Sequence, residues 1–164
     1  MDGHTPHAQR SDDNRRKPAA DAQIRRYYEC LNARRFDEAA DIFAPDAILE
    51  YLARRESLRS RAGAVEFARR WIEAFPDGQF QLERVEQRGE TLCEVDLVWS
   101  GTHFGTLDLG VYQFKPSRVS VALRLRQLFE FRENQVVFSS LSLDIHDLIR
   151  QLASVDYVTL EVRL

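Results

Sequence analysis

The sequence predicts an α+β fold, with helices packed on one face of a curved antiparallel sheet. Three observations predict it. Amphipathic stripes at helical spacing are concentrated in the first half of the chain, with one strand inserted among them. The second half is a run of alternating segments joined by turns. The most regular of these lies at Arg118–Phe131. Val119, Val121, Leu123, Leu125, Gln127, Phe129 and Phe131 occupy every second position there, and Arg118, Arg124, Arg126 and Glu130 fall between them. A period of two buries one face of a strand and wets the other.

Residues 1–19 are polar, mixed in charge and without a period, as in a disordered tail. His4 and His7 lie there and read as solvated rather than metal-binding. The folded domain is expected over residues 20–153, with 154–164 as a C-terminal extension. A first helix is expected at Ala20–Ala33, where Ile24, Tyr27, Tyr28 and Leu31 form one stripe. A second is expected at Phe36–Phe43, with Phe36, Ala39, Ala40 and Phe43 inward and Ala44-Pro45 as its stop. Asp46–Leu52 reads as a strand of ambiguous phase, because Ile48 and Leu52 lie on one face and Ala47, Leu49 and Tyr51 on the other. Arg54–Arg61 reads as a basic, solvated loop.

The third helix is expected at Gly63–Phe75, on the stripe Ala64, Phe67, Ala68, Trp71, Ile72 and Phe75. Pro76-Asp77-Gly78 is a turn. Gln79–Gln87 and Thr91–Ser100 form a hairpin pattern. In its second arm Cys93, Val95, Leu97 and Trp99 share a face, opposite Glu94, Asp96 and Ser100. Gly101–Pro116 is a long connection. Its three glycines are no nucleotide fingerprint, because no helix follows. Glu133-Asn134 turns the chain into a strand at Val136–Leu143, which ends at Asp144 and is followed by a short helix to Leu152. Tyr157–Val162 alternates again, as an edge strand or as a tail that pairs with another subunit. There is no internal repeat.

At 164 residues the chain is one domain of ordinary size. An apolar content of 44% and a charged content of 30% fit a globular protein in water. A net charge of -3 argues against a nucleic-acid partner, which calls for a basic domain. The two cysteines, Cys30 and Cys93, make neither a disulfide framework nor a zinc site, so a reducing cytoplasm is expected. No apolar run reaches membrane-spanning length, and the first residues lack the apolar core of a signal peptide.

Asp144 and His103 are the candidate chemical groups. Asp144 ends an apolar strand and opens a helix, which suits either an N-cap or a general acid or base in an apolar pocket. His103 keeps the phase of Cys93 to Trp99 if the strand runs past Gly101. It is then either a hydrogen-bonded core group or a proton carrier titrating near neutrality. Gln127 interrupts an apolar face, either as a bulge that turns it outward or as a pocket amide. Tyr28 offers a phenol from the first helix, and Trp71, Phe75 and Trp99 wall a pocket or fill a core. His146 and Asp147 read as surface or capping groups. There is no G-x-S-x-G elbow, no HExxH and no Cys/His cluster.

An ordered set of short motifs carries a family resemblance. It comprises Phe36-Asp37, Ala44-Pro45-Asp46, Ala74-Phe75-Pro76-Asp77, Gly101-Thr102-His103-Phe104-Gly105, and Asp144 followed by Leu148-Ile149-Arg150-Gln151-Leu152. The chain resembles the SnoaL-like polyketide cyclases of the NTF2-like superfamily over about Ala20–Leu152. The resemblance implies an NTF2-like cone, its curved antiparallel sheet packed on three N-terminal helices. It implies a homodimer, a small hydrophobic substrate, and neither a metal nor an organic cofactor. It implies acid/base catalysis of an intramolecular aldol ring closure, with catalytic Asp144 assisted by His103. Tyr28, Trp71, Trp99 and Gln127 are the expected substrate-binding residues. Other acid/base reactions on the same cone (epoxide hydrolysis, isomerisation, dehydration) and a binding or assembly module without turnover are the alternatives. An epoxide hydrolase wants an inward Asp-Arg-Asp relay, and the phase puts Arg124 and Arg126 on the charged face. The Ser154–Leu164 extension departs from the family pattern.

Overall fold

The structure, a computed structural model, describes residues 17–52, 55–110, 112–153 and 160–162. The tail expected at residues 1–19 lies outside these up to residue 16, with His4 and His7, and so do Arg54 and residues 157–159. Helix α1 spans Lys17–Asn32, α2 Phe36–Ala40, and strand β1 Phe43–Tyr51. Strand β2 is Glu56–Arg59, and α3 runs over Ser60–Ala74. Then come β3 (Gln79–Arg88), β4 (Leu92–Thr102), β5 (Leu107–Asp108), β6 (Tyr112–Phe114), β7 (Ser120–Arg132) and β8 (Gln135–Leu143). Helix α4 is Ile145–Leu152, and β9 is Leu160–Val162.

Six strands form the main sheet in the order β2-β1-β8-β7-β4-β3, and β5-β6-β9 form a second, smaller one. Every neighbouring pair is antiparallel except β1 and β8, which run parallel. The sheet is therefore mixed, which corrects the expectation of a wholly antiparallel one. In β7 the alternation holds: Val121, Leu123, Leu125, Gln127 and Phe129 are buried, and Ala122, Arg124 and Arg126 are exposed. Glu133 and Asn134 both take positive φ, 49° and 64°, in the two-residue loop between β7 and β8. Left-handed geometry at both positions is that of a type I′ turn, whose twist matches that of the flanking strands.

The helices cover the inner face. From α1, Tyr27 sets its ring edge-on to Phe43 and Phe129, and Tyr28 lies against Phe80. From α3, Phe67 meets Tyr51 of β1, and Trp71 meets Trp99 of β4. Each such ring contributes roughly 1.5–3 kcal/mol by leaving water. Helix α2 is shorter than expected and packs on α1 and α3. It ends at Ala40 because Ile42 and Phe43 are drawn into the sheet: Val136 N–H donates to the Ile42 carbonyl, and Phe43 pairs with Val136. Pro45, which has no N–H to give, falls where the β1–β8 register shifts, between Phe43 and Ile48. Pairing with β8 also settles the phase of β1, with Ala47, Leu49 and Tyr51 buried.

Two expected loops contain structure. Within the basic segment, Glu56–Arg59 pairs with β1 and runs into α3 at Ser60. Within the Gly101–Pro116 connection, β5 and β6 form a hairpin, and β9 pairs with β6 in the same chain. These strands, of four residues or fewer, are too short to show a period.

The end of α3 and the end of β4 meet backbone to backbone. The Ala74 carbonyl accepts from Phe104 N–H (3.0 Å) and Gly105 N–H (2.9 Å). A Cβ on Gly105 would stand 2.3 Å from the Glu73 carbonyl oxygen. Gly105→Ala should therefore lose about 1–3 kcal/mol of stability, the usual scale of overpacking. Urea unfolding of the two proteins checks this, and an unchanged midpoint would mean that the contact relaxes freely.

Candidate functional site

The predicted site residues fall into two interior groups and one surface position. In the first group the Tyr28 hydroxyl donates to Gln127 Oε1, and Gln127 Nε2 donates to Ser139 Oγ at 2.8 Å. All three residues are buried. Gln127 points inward, so the outward bulge does not occur at this position; the β7–β8 register shifts instead between Glu130 and Phe131. The amide, phenol and hydroxyl satisfy one another, as buried polar groups must. Burial also pushes the Tyr28 phenol well above its usual pKa, so it stays protonated.

The second group surrounds Phe75. Its ring centroid lies 4.5 Å from that of Trp99, 5.0 Å from that of His103 and 5.7 Å from that of Trp71, which stacks on it at 16°. The strand phase carries through Gly101, which pairs with Val121, and His103 N–H donates to the Val119 carbonyl. Trp99 and His103 therefore share the buried side. His103 is fully buried; Nδ1 lies 3.0 Å from Ser117 Oγ, and Nε2 has no hydrogen-bond partner. Val119 N–H donates to the same Ser117 oxygen at 3.4 Å. In either tautomer Nε2 is the ring atom left over, as a proton acceptor or as a proton donor. Burial lowers the imidazole pKa below its ordinary 6.5, and the Gly105 backbone opposes this in part. The ring is thus neutral at pH 7.

Asp144 is elsewhere. It is exposed, and Oδ1 accepts from His146 N–H (2.9 Å) and Asp147 N–H (3.1 Å), which caps α4. It lines grooves with Ala122, Arg124, Arg126 and Asp96, residues of the charged outer side of the sheet. The expectation of a carboxylate in an apolar pocket beside His103 is corrected on this point. One added residue of strand phase after Leu143, which pairs with Leu125, turns Asp144 away from the core.

A cavity of about 300 Å³ opens beside the aromatic group. Its floor is Tyr51, Phe67 and Trp71; Leu58, Leu107 and Leu109 line its sides, and Glu56, Arg70, Glu73 and Asp108 also border it. Arg70 is held by Glu56 (3.2 Å) and Glu66 (3.3 Å). Trp71 is the predicted residue that reaches this cavity. Tyr51 was hidden by the ambiguous phase of its strand. Leu107 and Leu109 were hidden in the long connection, and Ser117 carried no pattern at all. Among the described residues no three His, Cys, Asp or Glu side chains are placed to hold a metal ion. Among the described residues no helix is long and apolar enough to cross a membrane.

Two outcomes test this geometry. Because burial holds the folded pKa of His103 below its unfolded value, the unfolded chain binds more protons around pH 6. The stability contribution is complete above pH 6.5 and is lost as the pH falls through the folded value. His103→Gln should flatten that part of the stability–pH curve, measured as urea midpoints between pH 7.5 and pH 5; an unchanged slope assigns it to other groups. At the cap, Asp144→Ala should cost about 1 kcal/mol and Asp144→Asn a few tenths at most, by thermal unfolding.

Comparison with known proteins fits this architecture. No curated protein matches the sequence. Among solved structures, a candidate SnoaL-like polyketide cyclase of Jannaschia sp. CCS1 superposes with a TM-score of 0.75 at 18% identity, over 88% of this chain and 99% of that one. IdmH, a candidate polyketide cyclase of Streptomyces antibioticus, gives 0.67 at 20% identity, over 82% and 98%. A Catenulispora acidiphila protein with a ketosteroid isomerase-like fold gives 0.65 at 11%, over 80% and 92%. At these identities the likeness is one of fold. The sequence itself matches the family model of the SnoaL-like polyketide cyclases over residues 22–152, and the chain belongs to that family.

Proposed function

We propose that the protein is a cofactor-independent cyclase that closes a ring of a polyketide-like substrate by an intramolecular aldol step. A base takes the proton from a carbon next to one carbonyl. The enolate carbon forms a bond to a second carbonyl carbon, and the resulting alkoxide regains a proton. No atom is lost and no oxidant is needed. The observation that supports this reading is His103: a neutral, fully buried imidazole whose Nε2 has no partner. It packs on Phe75, and Phe75 stacks on the Trp71 floor of the cavity. The substrate occupies the cavity and reaches Nε2 when the Phe75 ring swings aside. Asp144, an exposed cap, serves the helix in this reading rather than the reaction. An epoxide hydrolase is disfavoured, since Arg126 and Asp96 pair on the outer side of the sheet.

One observation favours a second reading, a small-molecule binding module without turnover. Among the described residues, the buried polar side chains other than tyrosines and tryptophans are His103, Gln127 and Ser139, none of them a carboxylate. The two readings separate in a proton-exchange experiment. An aryl methyl ketone in deuterated buffer, followed by proton NMR, reports enolate formation without knowledge of the true substrate. Under the cyclase reading the wild type accelerates exchange, His103→Gln loses about 10²-fold or more, and Asp144→Asn keeps its rate. An unchanged rate in folded His103→Gln retires the imidazole as the base, a loss in Asp144→Asn restores the carboxylate, and no acceleration by the wild type puts the binding module in front. The cyclase reading also takes the protein as a homodimer, so light scattering at micromolar concentration should give twice the 19.1 kDa of one chain.

A further inference from the structure

We propose that the C-terminal strand β9 fixes one wall of the cavity and thereby limits the part of a substrate it encloses. This rests on the reading of that cavity as the substrate site. Thr106, Leu107, Asp108 and Leu109 line the cavity as one continuous segment, together with Trp71. They belong to β5 and its flanks, and β5 is only two residues long. It pairs with β6 through Leu107–Phe114 and Asp108–Gln113, and Leu109 N–H donates to the Tyr112 carbonyl at 2.8 Å. This hairpin belongs to a sheet separate from the main one.

A two-stranded hairpin is marginal in water unless it packs on something, as this one does through buried Leu107, Leu109 and Phe114, and it is held further by a third strand. Strand β9 supplies it, with Val162 opposite Tyr112, Glu161 opposite Gln113 and Leu160 opposite Phe114. The family match ends at residue 152, so this third strand lies outside the matched segment. The cavity, at about 300 Å³, stands at the lower end of the roughly 300–1,000 Å³ of small-molecule sites. A wall held in place keeps it there. A wall released from β9 would move out and admit a bulkier group.

Two variants test this: Glu161→Pro, which takes an N–H from the middle of the short ladder, and a chain ended after Ala153. The shorter chain keeps every buried apolar residue among those whose side chains are described, Ile24 to Leu152. Hydrogen exchange of the Leu109 and Phe114 amides reads the hairpin. Acrylamide quenching reads Trp71 at the cavity floor, with Trp99 buried in both forms. The expected result in both variants is exchange about tenfold faster at those two amides and stronger quenching, with β7 amides unchanged. Undiminished protection, or unchanged quenching, in both variants overturns the proposal. Neither readout depends on turnover, so failure of proton exchange with the ketone strikes the cyclase reading alone.

Discussion

The interior depends on the joint between the end of α3 and the end of β4. Two backbone bonds to the Ala74 carbonyl pull the Phe104–Gly105 turn onto the helix terminus. The Asp77 carboxylate then accepts from both the N–H and the hydroxyl of Thr102, each at 2.7 Å. These bonds hold its pKa below the usual carboxylate range, the backbone one most strongly. Arg34 closes the other side by donating to the carbonyls of Pro76 and Gly78. The approach is so close that side chains are excluded: a Cβ at Gly101 would stand 3.0 Å from Gly78 Cα. Phe75, Trp99 and His103 are mutually placed because the segments that carry them are locked here.

Packing and polarity are divided between the two sides of the sheet. The inner side holds the rings and the satisfied Tyr28–Gln127–Ser139 chain. The outer side holds cross-strand ion pairs, with Asp96 between Arg84 (2.7 Å) and Arg126 (2.8 Å). Such exposed pairs contribute little stability each, typically under about 1 kcal/mol. Their clearer effect is on register, since a slip of one residue would bury Arg124 and Arg126 and expose Leu123 and Leu125. The same constraint carries Asp144 outward one residue after inward Leu143. Strand parity thus decides the environment of each group, and His103 rather than Asp144 lies in the protected interior.

The periodic elements were legible in the sequence. The α1 stripe of Ile24, Tyr27, Tyr28 and Leu31 is buried as its spacing requires, and the alternation of β7 survives intact. The β3–β4 and β7–β8 hairpins lie where turn chemistry placed them. The family was legible too, because its motifs fall at tight contacts: Asp77 with Thr102, and Gly105 against Ala74. Those contacts constrain residue type as well as hydrophobicity. Less legible were segments whose conformation comes from a distant partner. Phe43 has the apolar character of a helix face, yet β8 draws it into the sheet. Strands β2, β5 and β6 have four residues or fewer, too short for a period to emerge.

The sequence by itself determined the α+β class, the inner faces of α1, α3, β4 and β7, and the family. These follow from local periodicity and from residue types that only close contacts demand. The tertiary structure alone decided the parallel pairing of β1 with β8, the position of β9 beside β6, and which polar groups meet. Pairing partners are chosen by long-range hydrogen bonds and shared burial, and neither leaves a local mark. Asp144 and His103 each ended or extended a strand in the sequence, and nothing there distinguished them. One lies in water capping a helix, and the other is sealed behind Phe75, because a side chain's environment depends on what the whole fold stacks upon it.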